Sequence, residues 1–302
     1  MENNKPRVIV IVGPTASGKT ATSIKVAKEL NGEIISADSM QIYKEMNIGT
    51  AKPTIEEMNG IKHYMIDVLY PNEQFNVAKY KEMAENAIKE IISKGKIPII
   101  VGGTGLYVNS LVDAIEFTEV SEDLEYRNEM LKKAEIYGAQ AIHDELKIID
   151  KESADKIDVN NVRRVIRALE IYKLTGKTKT QLDKESRKET KYDFKMYGID
   201  WPREVLYERI EKRVDIMFEA GLLEEVKSLI QKYEISKTAI QGLGYKEVIE
   251  FLENKITYEE MVEKLKIETR RYAKRQLTWF RRDERIAWYN IHEISKKIIE
   301  EA

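Results

Sequence analysis

The chain has 302 residues, enough for one large α/β domain or two smaller ones with a core that needs no staples. It contains no cysteine, which excludes disulfides, thiol catalysis and thiolate zinc sites and fits a reducing compartment. Lys plus Arg (50) nearly cancel Asp plus Glu (52), so a net charge of −2 selects no partner class and only the distribution of charge is informative.

The opening "MENNKPR" leads into an apolar run without the three regions of a secretory signal, and no stretch is long and apolar enough to span a bilayer. The expectation is a cytoplasmic protein with no membrane partner. "RVIVIV" then predicts a buried strand, and "GPTASGKT", Gly13 to Thr20, follows it and opens a helix that runs to Leu30. This is the spacing of a Walker A loop. Its backbone N–H groups wrap phosphate oxygens, Lys19 adds a point charge, and the Thr20 hydroxyl can ligate Mg²⁺.

Next come "EIISAD", "YMIDV", a helix near Ala78 to Ser93, and "IPIIVGG". Strands alternating with helices predict a parallel sheet covered on both faces, of the P-loop NTPase type. Ligands bind such sheets outside the carboxyl ends of the strands, where Gly13, Asp38, Asp67 and the turn Gly102 to Thr104 converge. Asp38 is either a turn residue or a carboxylate aimed at the ligand, and Asp67 is equally a turn acid or a metal relay. Thr104, between glycines, offers a hydroxyl to a phosphate oxygen or a reacting amine.

From about Phe117 the pattern becomes helical without an evident strand, up to Lys191, and "FKMYGIDWP" and "RIAWYNI" then read as returning strands among amphipathic helices. The domains predicted are a P-loop core over 1–115, a helical insertion over 116–192, and the rest of the core over 193–302. In "NNVRRVIRALEIY", Arg163 and Arg167 fall one helical turn apart with Arg164 beside them, which is either a solvated basic face or an anion site. "TRRYAKRQLTWFRR" mixes basic and aromatic residues, a combination that single-stranded nucleic acid recognition uses, although its aromatics also fit core spacing. His63, His143 and His292 show no metal-ligand spacing.

Seven blocks, "GPTASGKT", "ISADSMQIYKEMNIGTAKP", "HYMIDV", "IIVGGTGLYV", "NNVRRVIRALEIYKLTGK", "IQGLGYKEV" and "TRRYAKRQLTWFRR", together resemble the tRNA dimethylallyltransferases, the bacterial tRNA adenosine-37 isopentenyltransferases. They occur in order across nearly the whole chain. The resemblance implies transfer of the five-carbon group of dimethylallyl diphosphate to N6 of the adenosine next to the anticodon, with release of diphosphate. It implies that Gly13, Thr15, Ala16, Ser17, Gly18, Lys19, Thr20 and Arg167 bind the donor, with Thr20 on Mg²⁺. Asp38 would be the general base, Thr104 would orient the amine or the diphosphate, and Arg164 would meet the leaving group. Contacts to tRNA, through its anticodon stem-loop, would come from Asp38, Ser39, Met40, Gln41, Thr104, Arg127, Arg163, Arg164 and Arg167, in a monomer without the carboxyl-terminal zinc finger of eukaryotic relatives. A nucleoside or nucleotide kinase with a helical lid, a prenyltransferase acting on free adenine nucleotides, and a nucleotide-gated RNA binder each share part of this pattern.

Overall fold

The computed structural model describes residues 5–117, 122–186 and 188–302. The chain divides into two compact units, one formed by Met1–Val112 with Thr190–Ala302 and the other by Asp113–Glu189.

The first unit is built on a six-stranded parallel sheet of order β3-β2-β4-β1-β5-β6. Its strands are β1 (Arg7–Val12), β2 (Gly32–Ser36), β3 (His63–Tyr64), β4 (Ile97–Gly102), β5 (Asp193–Asp200) and β6 (Ile286–Asn290). β1 lies at the centre, with Ile9 opposite Ile99 on one side and Val10 opposite Met196 on the other. Period-two geometry sends its side chains to two faces. Val8, Val10 and Val12 enter one core, and Ile9 and Ile11 enter the other. On the first face pack α3 (Val77–Ser93), α4 (Gly105–Val112), α11 (Leu222–Lys232), α12 (Tyr245–Leu252) and α13 (Tyr258–Phe280). On the second pack α1 (Lys19–Glu29) and α14 (Ile294–Glu301). The long α10 (Arg203–Glu219) packs against α13, and the short α2 (Ile55–Met58) is closed by a capping box from Thr54 and Glu57. The predicted α/β architecture is therefore the observed one.

"YMIDV" departs from expectation. Only His63 and Tyr64 pair in the sheet, because Met65 (φ 63°) and Asp67 (φ 55°) adopt the left-handed conformation that a strand cannot continue through. Asp67 instead faces Lys52, 2.5 Å away, whose ammonium also donates to the Tyr43 carbonyl at 2.7 Å and to Asn47 Oδ1 at 2.9 Å. It is a turn staple, and its carboxylate does not lie at the end of a sheet strand.

The second unit comprises α5 (Leu124–Tyr137), α6 (Ala139–Ile149), α7 (Lys151–Lys156), α8 (Val162–Thr175) and α9 (Lys179–Glu185). Met130, Ile142, Leu146, Val165, Ile166 and Leu169 form its own apolar core. Beside that core Glu170 is fully buried and accepts from Arg127 Nε and Nη2, each at 2.8 Å, from Arg167, and from the Asp123 amide at 2.8 Å. Burial opposes its charge, but the two guanidiniums and the amide outweigh burial and hold the carboxyl below its ordinary range. Asp150 caps α7 through the Ser153 amide and binds the amide and hydroxyl of Thr180 at 2.9 and 2.6 Å, fastening α9.

Candidate active site

A cavity of about 730 Å³ opens at the carboxyl edge of the sheet and is lined within the sheet unit by the glycine loop, Asp38 to Gln41, the turn Gly49 to Ala51, α10 and α13. Its floor is set by the loop between β1 and α1. Gly18 begins α1 at φ 94°, a left-handed conformation that L side chains seldom hold, and so turns the helix amino end toward the cavity. Three loop carbonyls are taken by side chains. Pro14 accepts from Lys19 Nζ at 2.6 Å, Ala16 from Arg209 Nε at 2.9 Å, and Ser17 from Trp201 Nε1 at 2.9 Å. The Thr15 amide donates to Gln276 and the Ser17 amide to Pro14. The amides of Lys19 and Thr20 belong to the first turn of α1, where no intrahelical carbonyl reaches them.

Lys19 and Arg213 both line the cavity, and Arg213, from α10, makes no salt bridge among the described residues. Burial in the cavity wall pulls the Lys19 amine down to about 7; the Arg213 charge adds to this, and Asp38 opposes it. Arg213 is likewise depressed by burial, with Asp38 as the opposing influence. Lys19 and Arg213 are near enough for the Arg213 charge to act on the Lys19 amine, and an anion in the cavity would relieve that repulsion.

Asp38 follows β2, half-buried at the cavity wall. Its Oδ1 accepts the Met40 amide at 2.9 Å and the Gln41 amide at 3.4 Å, while Oδ2 has no hydrogen-bond partner among the described residues. The turn after β4 comes against the same point. Thr104 N–H donates to the Ala37 carbonyl at 3.1 Å, and Thr104 Oγ1 accepts the Ser39 amide at 3.0 Å. Gly102 permits this approach, since a Cβ there would fall 2.1 Å from the Ala37 carbonyl oxygen. Gln41 is held by both ends, accepting from Ser36 Oγ at 3.1 Å and donating to the Thr50 and Ala51 carbonyls. Tyr272, on the same wall, keeps its proton because burial first, and the Asp38 charge second, push its phenol up. Val214, Met217, Leu243 and Leu265 give the cavity an apolar side.

The turn Gly49 to Ala51 owes its position to Glu225 of α11. That carboxylate accepts the amides of Asn47, Ile48 and Gly49 at 2.9, 2.8 and 3.2 Å, and the Tyr245 hydroxyl at 2.7 Å. Glu225→Ala will strand these donors and should lower folding stability by about 1–3 kcal/mol, read as a shift in the urea midpoint at unchanged slope; an unchanged midpoint would mean water replaces the carboxylate fully.

The loop residues, Asp38, Ser39, Met40, Gln41 and Thr104 thus meet in one place. Arg127, Arg163, Arg164 and Arg167 belong to the helical unit, where they divide in two. Arg127 and Arg167 are engaged by Glu170, whereas Arg163 and Arg164 are exposed and have no ion pair among the described residues. Asn161 heads α8 through its carbonyl, without a side-chain cap. His143 bridges the Ala154 and Ile157 carbonyls, and no cluster of three His, Cys, Asp or Glu able to hold a metal occurs among the described residues. Of "TRRYAKRQLTWFRR", Phe280 enters the core, but Tyr272 and Arg275 line the cavity and Trp279 is 40% exposed, bonded to Asn109. The sequence reads Tyr272 as a stacking plane or a core residue and Gln276 as a core-spaced position, and it gives Arg213 no role. The legible signal was the spacing of Arg209 and Arg213, one turn apart on α10, beside buried Ile210 and Val214.

A sequence profile of the IPP transferase family matches residues 41–283. The tRNA dimethylallyltransferase of Acetivibrio thermocellus is 53% identical over 97% of this chain and 95% of its own, and that of Bacillus mycoides 50% identical over 98% and 93%. Among solved structures, the full-length tRNA isopentenylpyrophosphate transferase of Bacillus halodurans is similar at 44% identity and a TM-score of 0.73, covering 98% of this chain and 95% of that one. A eukaryotic dimethylallyltransferase acting on tRNA is similar at 32% identity and a TM-score of 0.75, covering 97% and 72%. No helix among the described residues is long and apolar enough to cross a membrane.

Proposed function

We infer, from the premise that this chain belongs to the IPP transferase family, that it transfers the dimethylallyl group of dimethylallyl diphosphate to N6 of adenosine-37 in tRNA and releases diphosphate. The observation that carries the reading is that one cavity brings together two basic side chains, Lys19 and Arg213, and an Asp38 oxygen that has no hydrogen-bond partner among the described residues. An anion and a proton each have a receiver there.

The donor lies with its diphosphate on the first-turn amides of α1, Lys19 and Arg213, and its tail against Val214, Met217, Leu243 and Leu265. As the allylic C–O bond breaks, charge grows on the departing diphosphate, and fixed donors at that point lower the barrier because they need no reorganisation. The adenine N6 lone pair forms the new C–N bond, and Asp38 takes the proton that the amine loses. Thr104, bonded to Ser39, keeps a hydroxyl beside the incoming amine. The adenosine leaves its stack to arrive there, at a cost of a few kcal/mol, and Tyr272 offers a ring at the wall that receives it. Among the described residues of the helical unit, Arg163 and Arg164 are exposed, the first assigned to tRNA and the second to tRNA or the leaving group, and Arg127 and Arg167, held by Glu170, stay assigned to tRNA, with Arg167 also to the donor.

A divalent cation fits these residues. Thr20 lines the cavity, and its hydroxyl, without a protein partner among the described residues, is an oxygen donor of the kind Mg²⁺ accepts when substrate phosphates and water complete its shell. Bound there through Thr20, Mg²⁺ would neutralise charge on the diphosphate. The enzyme acts as a cytoplasmic monomer in this reading.

Nucleoside mass spectrometry of tRNA incubated with dimethylallyl diphosphate tests the assignment: adenosine should gain one prenyl unit. A phosphorylated nucleoside formed from ATP instead would make the protein a kinase. Lys19 supplies a second check. Below about pH 7 it is already charged; above, it is neutral in the empty site and regains its proton when an anion binds. Calorimetric titration with dimethylallyl diphosphate at pH 8, in two buffers of different ionisation heat, should report uptake of close to one proton, and donor affinity should fall as pH rises above about 7. Uptake of no proton together with an affinity that is flat above pH 7 would mean that Lys19 is already charged in the empty site or that the donor binds away from it.

A further inference from the structure

Gln276 stands on α13 with only 5% of its surface exposed. Both ends of its carboxamide are used. Oε1 accepts the Thr15 amide at 2.8 Å, and Nε2 donates to the Gly103 carbonyl at 3.0 Å. Thr15 belongs to the loop that receives the diphosphate, and Gly103 precedes Thr104 on the turn that meets Asp38. The fit is close: a Cβ on Gly103 would lie 2.0 Å from Gln276 Nε2 and 3.6 Å from the Gly13 carbonyl oxygen. Core filling alone would favour an apolar side chain here, because a buried amide is tolerated only where its hydrogen bonds offset its desolvation.

The sheet does not fix the distance between these two loops. Its ladder holds β1 to β4 as far as Val12 opposite Gly102, and both loops leave the pairing beyond that register. Gln276 is the side chain that joins them after the ladder ends. We propose that Gln276 is a positioning residue that sets the separation of donor loop and acceptor turn, and with it the reach from allylic carbon to amine. The inference rests on the transfer reaction assigned above. Such a reaction needs its atoms within about 3–3.5 Å, and a displacement of about 1 Å can cost roughly 10²-fold in rate.

The test compares Gln276→Met and Gln276→Asn with the wild type in the full chain. Three quantities are measured: affinity for dimethylallyl diphosphate alone, affinity for a tRNA anticodon stem-loop alone, and the single-turnover transfer rate with both saturating. Gln276→Met keeps the length and loses both bonds; Gln276→Asn keeps the amide but is too short to bridge. Both should retain each separate affinity within about threefold and lose roughly 10²-fold in transfer. A rate within threefold of wild type at saturation overturns the proposal. So does a loss that follows weakened binding and vanishes when both ligands saturate, since Gln276 would then only shape a binding loop. If Gln276→Met does not fold, Gln276→Asn and Gly103→Ala, with melting curves as the control, carry the same comparison. A wild type that binds both ligands yet transfers nothing would overturn the assigned reaction instead.

Discussion

Asp38→Ala will slow prenyl transfer by ~10²–10⁴-fold and leave tRNA affinity within a few-fold of wild type. The exocyclic amine of adenine is a weak nucleophile whose lone pair is shared with the ring, so its attack needs a group that removes a proton as the bond forms. Asp38 presents one oxygen to the Met40 and Gln41 amides, and the other has no hydrogen-bond partner among the described residues. Asp38→Asn separates the two oxygens' duties: it preserves an acceptor for the turn amides but takes no proton. It should therefore fold as the wild type does and transfer as slowly as the alanine variant. Transfer near wild-type rates in Asp38→Asn, or equal loss of tRNA binding and transfer in both variants, would show that the residue shapes the turn and does no proton chemistry.

Arg213→Gln will lower transfer by roughly 10²–10³-fold, the typical effect of removing one preorganised donor from a developing negative charge. The guanidinium makes no salt bridge among the described residues, with Asp38 acting on it only through its charge, and burial already works against its own charge. A structural arginine in such a place would be paired. One kept unpaired next to Lys19 repels it until an anion arrives, so part of the donor's binding energy comes from relief of that repulsion. The variant should bind dimethylallyl diphosphate more weakly, raise the Lys19 amine toward its ordinary value, and thereby shrink the proton uptake on binding at pH 8. Measured donor affinity and transfer equal to wild type would assign Arg213 to the tRNA side of the cavity.

The P-loop, the parallel sheet and the ligand edge were legible because each rests on short-range rules: apolar runs of strand length, a glycine spacing, and a helix start immediately after it. Asp38 could be placed at the ligand edge for the same reason. Its open oxygen could not, since that depends on which partners the Met40 and Gln41 amides find. The reading of "YMIDV" as a strand failed on backbone conformation: two of its five residues take positive φ, which apolar patterning does not encode. Arg213 and Gln276 stayed hidden within amphipathic helices. Periodicity gives the buried face of such a helix, but not whether that face meets a core or a cavity, and a polar residue on it gains meaning only from the loops it touches. The arginines of "NNVRRVIRALEIY" needed Glu170, a buried acid on the same helix, before Arg167, which shares it with Arg127 of α5, could be told apart from Arg163 and Arg164.

In the helical unit the Glu116 amide donates to the Ser186 carbonyl at 2.8 Å, close to where the chain enters and leaves it. This bond bears on how the protein is assembled as it emerges from the ribosome. β1 has to await β5, its neighbour from Asp193 onward, and the delay spans most of two-thirds of translation. A flexible intervening segment would make that search slow, since contacts distant along the chain retard folding. Here the insertion carries its own core and can collapse first, which brings its two ends together and shortens the effective loop that β5 must close. A nascent chain folding in that order would deliver β5 to a β1 edge already formed against β4.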